Sequence, residues 1–139
     1  MAKLTLTIKN KEPYRIDDFI VLHLLPKYRE TFRMFLNKYR CSLIEGKVKE
    51  SIDIGKNSLY KVLYDSVSHT YMRKDLTNTL SIVIDENAKI PGTNTTYERV
   101  ASLVNFGTLS VKPYPVYEQA MLLLRQTYKS HWYEYYGGL

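Results

Sequence analysis

The sequence predicts one helix-rich α+β domain over residues 1–139, with few short strands and a helical C-terminal half. Three observations predict this class. A chain of 139 residues is long enough for one hydrophobic core but too short for two. Its 45% hydrophobic and 24% charged residues are typical of a globular protein. Strand-type alternation is confined to short segments, whereas helical spacing of apolar residues recurs along the chain.

The N-terminal segment begins with a predicted strand. The apolar residues of the segment 4–8 alternate with Lys and Thr over residues 3–9, a pattern typical of a half-buried strand. Asp17 or Asp18 is placed to cap a short helix that runs to Leu25. Pro26 then either starts a second helix at its first turn or kinks a continuous one.

Residues 27–44 have the clearest amphipathic helical pattern in the chain. Apolar side chains recur every three or four positions, at Tyr28, Phe32, Phe35, Tyr39 and Leu43. Gly46 is a plausible end for this helix, because glycine readily adopts the backbone conformation that closes a helix.

The middle of the chain mixes both periods. Apolar residues at even positions of the segment 48–54 predict a weak strand. Asn57 or Ser58 can cap a helix that continues to about Arg73. Residues 80–84 are β-branched and apolar, which favours a buried strand, with a short helix as the alternative.

The C-terminal third has the strongest helix signals. Thr95 and Glu98 have the spacing of a capping box, and Gly107 closes the helix that follows. Pro115 is suited to the first turn of one long terminal helix, which the Gly137-Gly138 pair ends.

Catalytic and metal-binding motifs are not recognisable in the sequence. The single cysteine, Cys41, excludes an intramolecular disulfide and a Cys-based zinc site, and indicates a reducing compartment. No two of the three histidines lie within 40 positions of each other. His23 is therefore predicted at the edge of the core, and His69 and His131 in solvated or capping roles. We expect no enzyme activity, no cofactor and no bound metal.

Targeting and membrane segments are not expected either. The N-terminal residues lack the apolar segment of a secretory signal peptide. No apolar run approaches the roughly 20 residues of a membrane span.

The net charge of +6 belongs to one half of the chain. Residues 1–49 carry 11 basic and five acidic side chains, whereas residues 50–139 carry nine of each. At roughly 100° per residue, three arginines of the amphipathic helix share a narrow stripe. The predicted anion-binding residues are Arg29, Arg33, Lys38 and Arg40. Such a stripe has three alternative interpretations: a solvated side of the helix, a contact for an acidic protein surface, or a contact for nucleic acid phosphates.

Tyrosine is unusually frequent. Six of the 13 tyrosines follow residue 113. A tyrosine ring can be buried while its hydroxyl remains hydrated, which suits protein interfaces. The predicted interface residues are Tyr128, Trp132, Tyr133, Tyr135 and Tyr136. The alternative is that these rings close the core across two neighbouring elements.

The last 50 residues carry a resemblance. The segment 90–94 leads into Tyr97-Glu98-Arg99-Val100-Ala101, then into Asn105-Phe106-Gly107 and the tyrosine-rich terminal helix. In this order the segments resemble small connector- or neck-type virion proteins of tailed bacteriophages. The resemblance implies a structural component, located in the virion or the host cytoplasm, with no catalytic residues.

These observations together predict a non-enzymatic structural or assembly subunit that makes protein–protein contacts with other subunits, as a homo- or hetero-oligomer. The alternatives are a small basic nucleic-acid-binding protein and a phage-encoded inhibitor of a host protein. Steep weakening of binding with salt distinguishes the nucleic-acid alternative, because each neutralised phosphate releases counterions.

Overall fold

This computed structural model describes residues 4–7, 16–39, 45–76, 79–109 and 111–136. These residues contain three strands and seven α-helices. In chain order they are β1 (Leu4–Thr7), α1 (Ile16–Phe19), a π-helical turn (Ile20–Leu24), α2 (Leu25–Tyr39), α3 (Glu45–Ser51), α4 (Leu59–Ser66), a 3-10 turn (Val67–His69), β2 (Thr70–Lys74), β3 (Thr79–Ile84), α5 (Tyr97–Phe106), α6 (Val116–Gln126) and α7 (Tyr128–Tyr136). This is the helix-rich α+β class that the sequence predicts.

The three strands form one antiparallel sheet in the order β1-β3-β2. The central strand pairs Ile82 with Leu4 on one side and Ile84 with Thr70 on the other. Successive side chains of a strand point to opposite faces. Leu80, Ile82 and Ile84 of β3 are therefore buried together in the core. The predicted strands at residues 4–8 and 80–84 are confirmed within the described residues, and Ile8 lies outside them.

Strand β2 replaces the last part of a predicted helix. The prediction of a helix from Asn57 or Ser58 to about Arg73 is wrong beyond Ser66. Ser58 does cap α4, accepting a hydrogen bond from Lys61 N at 3.2 Å. The helix ends early because the β-branched and aromatic residues that follow form a ladder with β3.

Helix α3 corrects a second expectation. Val48, Ile52 and Ile54 were expected on a weak strand, yet residues 45–51 are helical. A four-residue separation between Val48 and Ile52 also fits one helical turn, and both side chains are buried. Lys49 and Glu45 pair one turn apart at 3.2 Å, an arrangement that supports a helix rather than a strand.

Helices α1 and α2 form a continuous helical segment with one widened turn. The Leu25 N–H donates to Ile20 O, which is the i to i−5 bond of a π-helix. Pro26 directly follows this turn. It has no N–H to bond Leu22 O, and its ring would clash with that carbonyl in a regular α-helix. Pro26 therefore lies within a continuous helical segment, the setting of the second of its two predicted roles, directly after a widened turn.

The apolar side of α2 is close to the predicted one. Tyr28 and Phe32 are fully buried, as expected. Leu36, which the sequence analysis did not select, is fully buried, whereas Phe35 is only partly buried against the core. Leu43 lies outside the described residues.

Helix α5 begins one residue later than predicted. Thr96, not Thr95, caps it by accepting from Arg99 N at 3.3 Å. The Thr95 hydroxyl instead donates to Asp53 O at 2.5 Å and ties the loop to the segment after α3. Gly107 closes α5 as predicted. Its φ is +69°, and its N–H donates a hydrogen bond to Leu103 O.

The predicted single terminal helix is divided at Thr127 into α6 and α7. Both the N–H and the hydroxyl of Thr127 donate to Leu123 O, at 3.0 and 2.8 Å. A threonine hydroxyl bonded to the i−4 carbonyl bends a helix. Thr127 has a non-helical backbone, with φ −102° and ψ +11°, and α7 begins as a separate helix at Tyr128.

The core lies between the sheet and the helices. Helix α6 packs against α2 and also against β1, so that the C-terminal part of the chain covers the N-terminal part. The Tyr117 ring lies 4.5 Å from the Phe32 ring, centroid to centroid, at the centre of this packing. In the described part of the chain, every helix is too short or too polar to cross a membrane.

Candidate functional site

Arg29, a predicted anion-binding residue, bonds to the backbone of its own chain. Its Nε donates to Val67 O at 3.1 Å and its Nη2 to Thr70 O at 2.6 Å. These carbonyls lie where the 3-10 turn passes into β2. Burial, with a smaller effect of the neighbouring Arg33 charge, lowers the pKa of Arg29. The guanidinium therefore holds α2 to the junction between α4 and the sheet.

Arg33 lies one helical turn further along and is half-buried. Its Nη2 donates to Ser68 Oγ at 3.0 Å. Its guanidinium carbon lies 4.5 Å from the centroid of the Tyr64 ring, within cation–π distance. Met34, which is 55% exposed, is the next residue on α2. These contacts fix the orientation of a charged group at the protein surface.

The residues around Arg33 form one surface across two helices. Tyr60 and Tyr64 of α4 lie with ring centroids 6.0 Å apart, and the Tyr60 hydroxyl donates to Asn37 Oδ1 of α2. We call this the α2–α4 surface, and it comprises Arg33, Met34, Asn37, Tyr60 and Tyr64. Of the other predicted anion-binding residues, Lys38 is exposed on α2, and Arg40 lies outside the described residues.

The predicted aromatic interface on α7 is mostly turned inward. Tyr128, Trp132 and Tyr135 are partly buried and surround Phe19, with ring centroids 6.0, 5.1 and 5.4 Å from the Phe19 ring. Tyr133 alone among the four described aromatic side chains of α7 is highly exposed, at 73%. The side chain of Tyr136 lies outside the described residues. The rings of α7 thus close the core across two elements.

Two histidines 108 residues apart meet where α7 packs on the π-helical turn. His23 Nε2 lies 3.2 Å from His131 Nδ1. One oxygen of Glu134 lies 3.9 Å from His23 Nε2 and 3.8 Å from His131 Nδ1. Both imidazoles are largely buried, with 12% and 17% of their side chains exposed. We call these three side chains the His–His–Glu cluster.

The hydrogen bonds of Thr127 determine the tautomer of His131. The Thr127 hydroxyl donates its proton to Leu123 O, and it lies 3.0 Å from His131 Nε2. Because that proton is already used, the hydroxyl accepts from Nε2–H. His131 Nδ1 therefore presents a lone pair, and in the neutral pair it accepts a hydrogen bond from His23 Nε2–H.

The charges around the cluster are mixed. The second oxygen of Glu134 lies 3.9 Å from Lys27 Nζ, so the carboxylate faces an ammonium on one side and the imidazoles on the other. Burial and the neighbouring His23 lower the pKa of His131, while Glu134 acts in the opposite direction. The balance of these effects favours the neutral form of the His131 imidazole.

Sequence reasoning missed this cluster. His23 lies at the edge of the core as predicted, but His131 is neither solvated nor a helix cap. A separation of 108 residues leaves no local spacing signal. The one indication was Pro26, which marks an irregular turn beside His23.

Comparisons with models of protein families, with curated protein sequences and with solved structures found no match for this chain.

Proposed function

We propose that the protein is a non-enzymatic structural or assembly subunit that acts through protein–protein contacts, with the α2–α4 surface facing an acidic partner protein. The observation that carries this proposal is the half-buried Arg33 guanidinium, held over Tyr64 beside the exposed Met34. Arginine and tyrosine are enriched among the residues that carry most of the binding energy of an interface. Methionine is enriched in interfaces relative to the rest of the protein surface.

The state of Arg33 before binding favours this role. Tyr64 and Ser68 already restrict its side chain, so a partner carboxylate would meet a group that loses little further conformational freedom. Planar guanidinium groups bind carboxylates through two parallel hydrogen bonds. The excess positive charge of residues 1–49 would also attract an acidic surface from a distance.

A place in a tailed-phage particle, in the virion or in the host cytoplasm, is a further part of this proposal. It rests on the sequence resemblance of the last 50 residues alone. The α2–α4 surface lies outside those residues, so the contact proposed for it does not depend on the resemblance.

Site-specific photocrosslinking in the cell that naturally makes the protein tests the proposed contact. Benzoylphenylalanine replaces Met34 in one variant, and in the control it replaces Leu76, a fully exposed residue after β2. We expect the first variant alone to give a discrete adduct with another protein, attached at an acidic segment. Adding Arg33→Glu should abolish that adduct.

Three results would overturn the proposal. Equal adducts from both positions would show that the contact is not specific to this surface. An adduct with a second copy of the chain would show that the surface mediates self-assembly and not binding to an acidic partner. Anisotropy of labelled DNA that shows binding weakening steeply between about 50 and 200 mM salt, and lost in Arg33→Glu, would assign the surface to nucleic acid.

A further inference from the structure

We propose that His23, His131 and Glu134 bind a divalent transition metal ion of the zinc class. They offer two imidazole nitrogens and one carboxylate oxygen, all within 4.8 Å of one another. Two histidines with one glutamate are a known donor set for three-ligand zinc sites, in which water takes the fourth position. This inference concerns a different part of the molecule from the α2–α4 surface and does not depend on it.

The distances fit a common metal. Ligand atoms 2.0–2.2 Å from a tetrahedral ion lie roughly 3.3–3.5 Å from one another. The two imidazole nitrogens are 3.2 Å apart, close to this separation without movement of either helix. The Glu134 oxygen, at 3.8 and 3.9 Å, needs to approach by less than about 0.6 Å. Glu134 is 57% exposed, so its side chain is free to make that shift.

The surroundings orient one ligand in the required way. Metal-binding histidines generally donate the second ring N–H to a neighbouring group, which fixes the ring and its tautomer. His131 does so through Nε2–H to Thr127, leaving Nδ1 directed at His23. Binding also requires that His23 carry its proton on Nδ1, so that Nε2 becomes a second ligand atom.

Two departures from regular helix geometry bring the ligands together. His23 belongs to the π-helical turn, a feature that is frequent at functional sites. His131 and Glu134 follow the break between α6 and α7 at Thr127, and α7 packs against that turn. A bound ion would join these two irregular segments and hold α7 against the N-terminal helices.

Lys27 opposes a cation and supplies a sharp test. Its ammonium lies 3.9 Å from the Glu134 oxygen that faces away from the imidazoles. A metal ion at the cluster would be repelled by this charge. Replacing Lys27 by methionine keeps most of the apolar stem and removes the repulsion, so it should tighten metal binding.

The experiment is a zinc titration followed by calorimetry and by thermal unfolding, on tag-free protein carrying Cys41→Ser so that no thiol competes. We expect zinc to raise the unfolding temperature and cobalt to give the absorption spectrum of a site with nitrogen ligands. His23→Gln, His131→Gln and Glu134→Gln should each weaken zinc binding at least tenfold. Thr127→Val should weaken it by about tenfold, as for other groups that orient a ligand.

The third histidine provides a matched control. His69 stacks on Tyr97, with ring centroids 4.8 Å apart, and His69→Gln should bind zinc like the parent protein. Glu134→Gln and Lys27→Met alter exposed or half-exposed groups, so they keep the test decisive if a histidine variant does not fold. No zinc-dependent shift in the parent protein would overturn the proposal. Equal zinc binding by the parent and Glu134→Gln, or weaker binding by Lys27→Met, would overturn it too.

Discussion

Replacement of Arg29 by methionine tests whether this arginine serves the fold. Methionine keeps a flexible apolar side chain along α2 but removes the guanidinium. The structure then loses both hydrogen bonds to the carbonyls of Val67 and Thr70. Those carbonyls lie at the end of α4 and the start of β2, so the loss weakens the attachment of α2 to the sheet.

The size of the effect follows from the two bonds. A hydrogen bond from a charged donor contributes about 1.5–3 kcal/mol to stability. Arg29 is only half-buried, so water regains part of the freed carbonyls, and we expect a total cost of about 2–4 kcal/mol. For 139 residues, each kcal/mol lowers the unfolding temperature by about 3 °C. Arg29→Met should therefore unfold roughly 6–12 °C below the parent protein.

Arg33→Met is the matched control, because it removes the same charge from the next turn of the same helix. Its hydrogen bond to Ser68 is exposed, so we expect a cost below about 1 kcal/mol. Urea unfolding followed by circular dichroism, together with scanning calorimetry, measures both variants. Equal destabilisation of the two variants, or a neutral Arg29→Met, would refute the internal role of Arg29.

Two further predictions concern glycine and tyrosine. Gly107→Ala should cost about 2–4 kcal/mol, because a Cβ there meets Val111 O at 2.5 Å and φ is +69°. Gly46→Ala should stabilise α3 by about 0.5–1 kcal/mol, because a Cβ there has no atom within 4 Å. Urea unfolding measures both effects. Burial raises the pKa of Tyr28 and Tyr117, so the stability that their neutral phenols provide is intact below about pH 10. It should fall above that pH by up to about 1.4 kcal/mol per unit for each ring, and ultraviolet absorbance should show two phenols that ionise only as the protein unfolds.

The sequence was sufficient to predict elements that local chemistry determines. Residues 80–84 could form a buried strand because their side chains are β-branched and apolar, and β3 confirms this. Ser58 begins α4, because its side chain accepts a hydrogen bond from a backbone N–H. Gly107 ends α5, because a residue without a side chain readily adopts a positive φ. The segments 48–54 and 67–73 were assigned wrongly, because alternation and helical spacing coincide over so few residues and tertiary pairing decides between them.

The candidate site could not be predicted in the same way. Helical spacing predicted the arginine stripe on α2. It could not predict that Arg29 would bond to carbonyls 38 and 41 residues away. The His–His–Glu cluster depends on a widened turn, a break between two helices and a contact across 108 residues. Each of these is set by packing between elements distant in sequence, which local patterns do not encode.

The packing of α6 on α2 has a consequence for how the protein is made. The Tyr28 hydroxyl donates to Tyr117 O, a residue synthesised 89 positions later. On the ribosome, α4 can already pack against α2, but the part of the buried face of α2 that α6 covers stays open until α6 has been translated. We expect nascent chains that stop before Val116 to expose the rings of Phe19, Tyr28 and Phe32 and to bind chaperones, with compact folding delayed until synthesis is nearly complete.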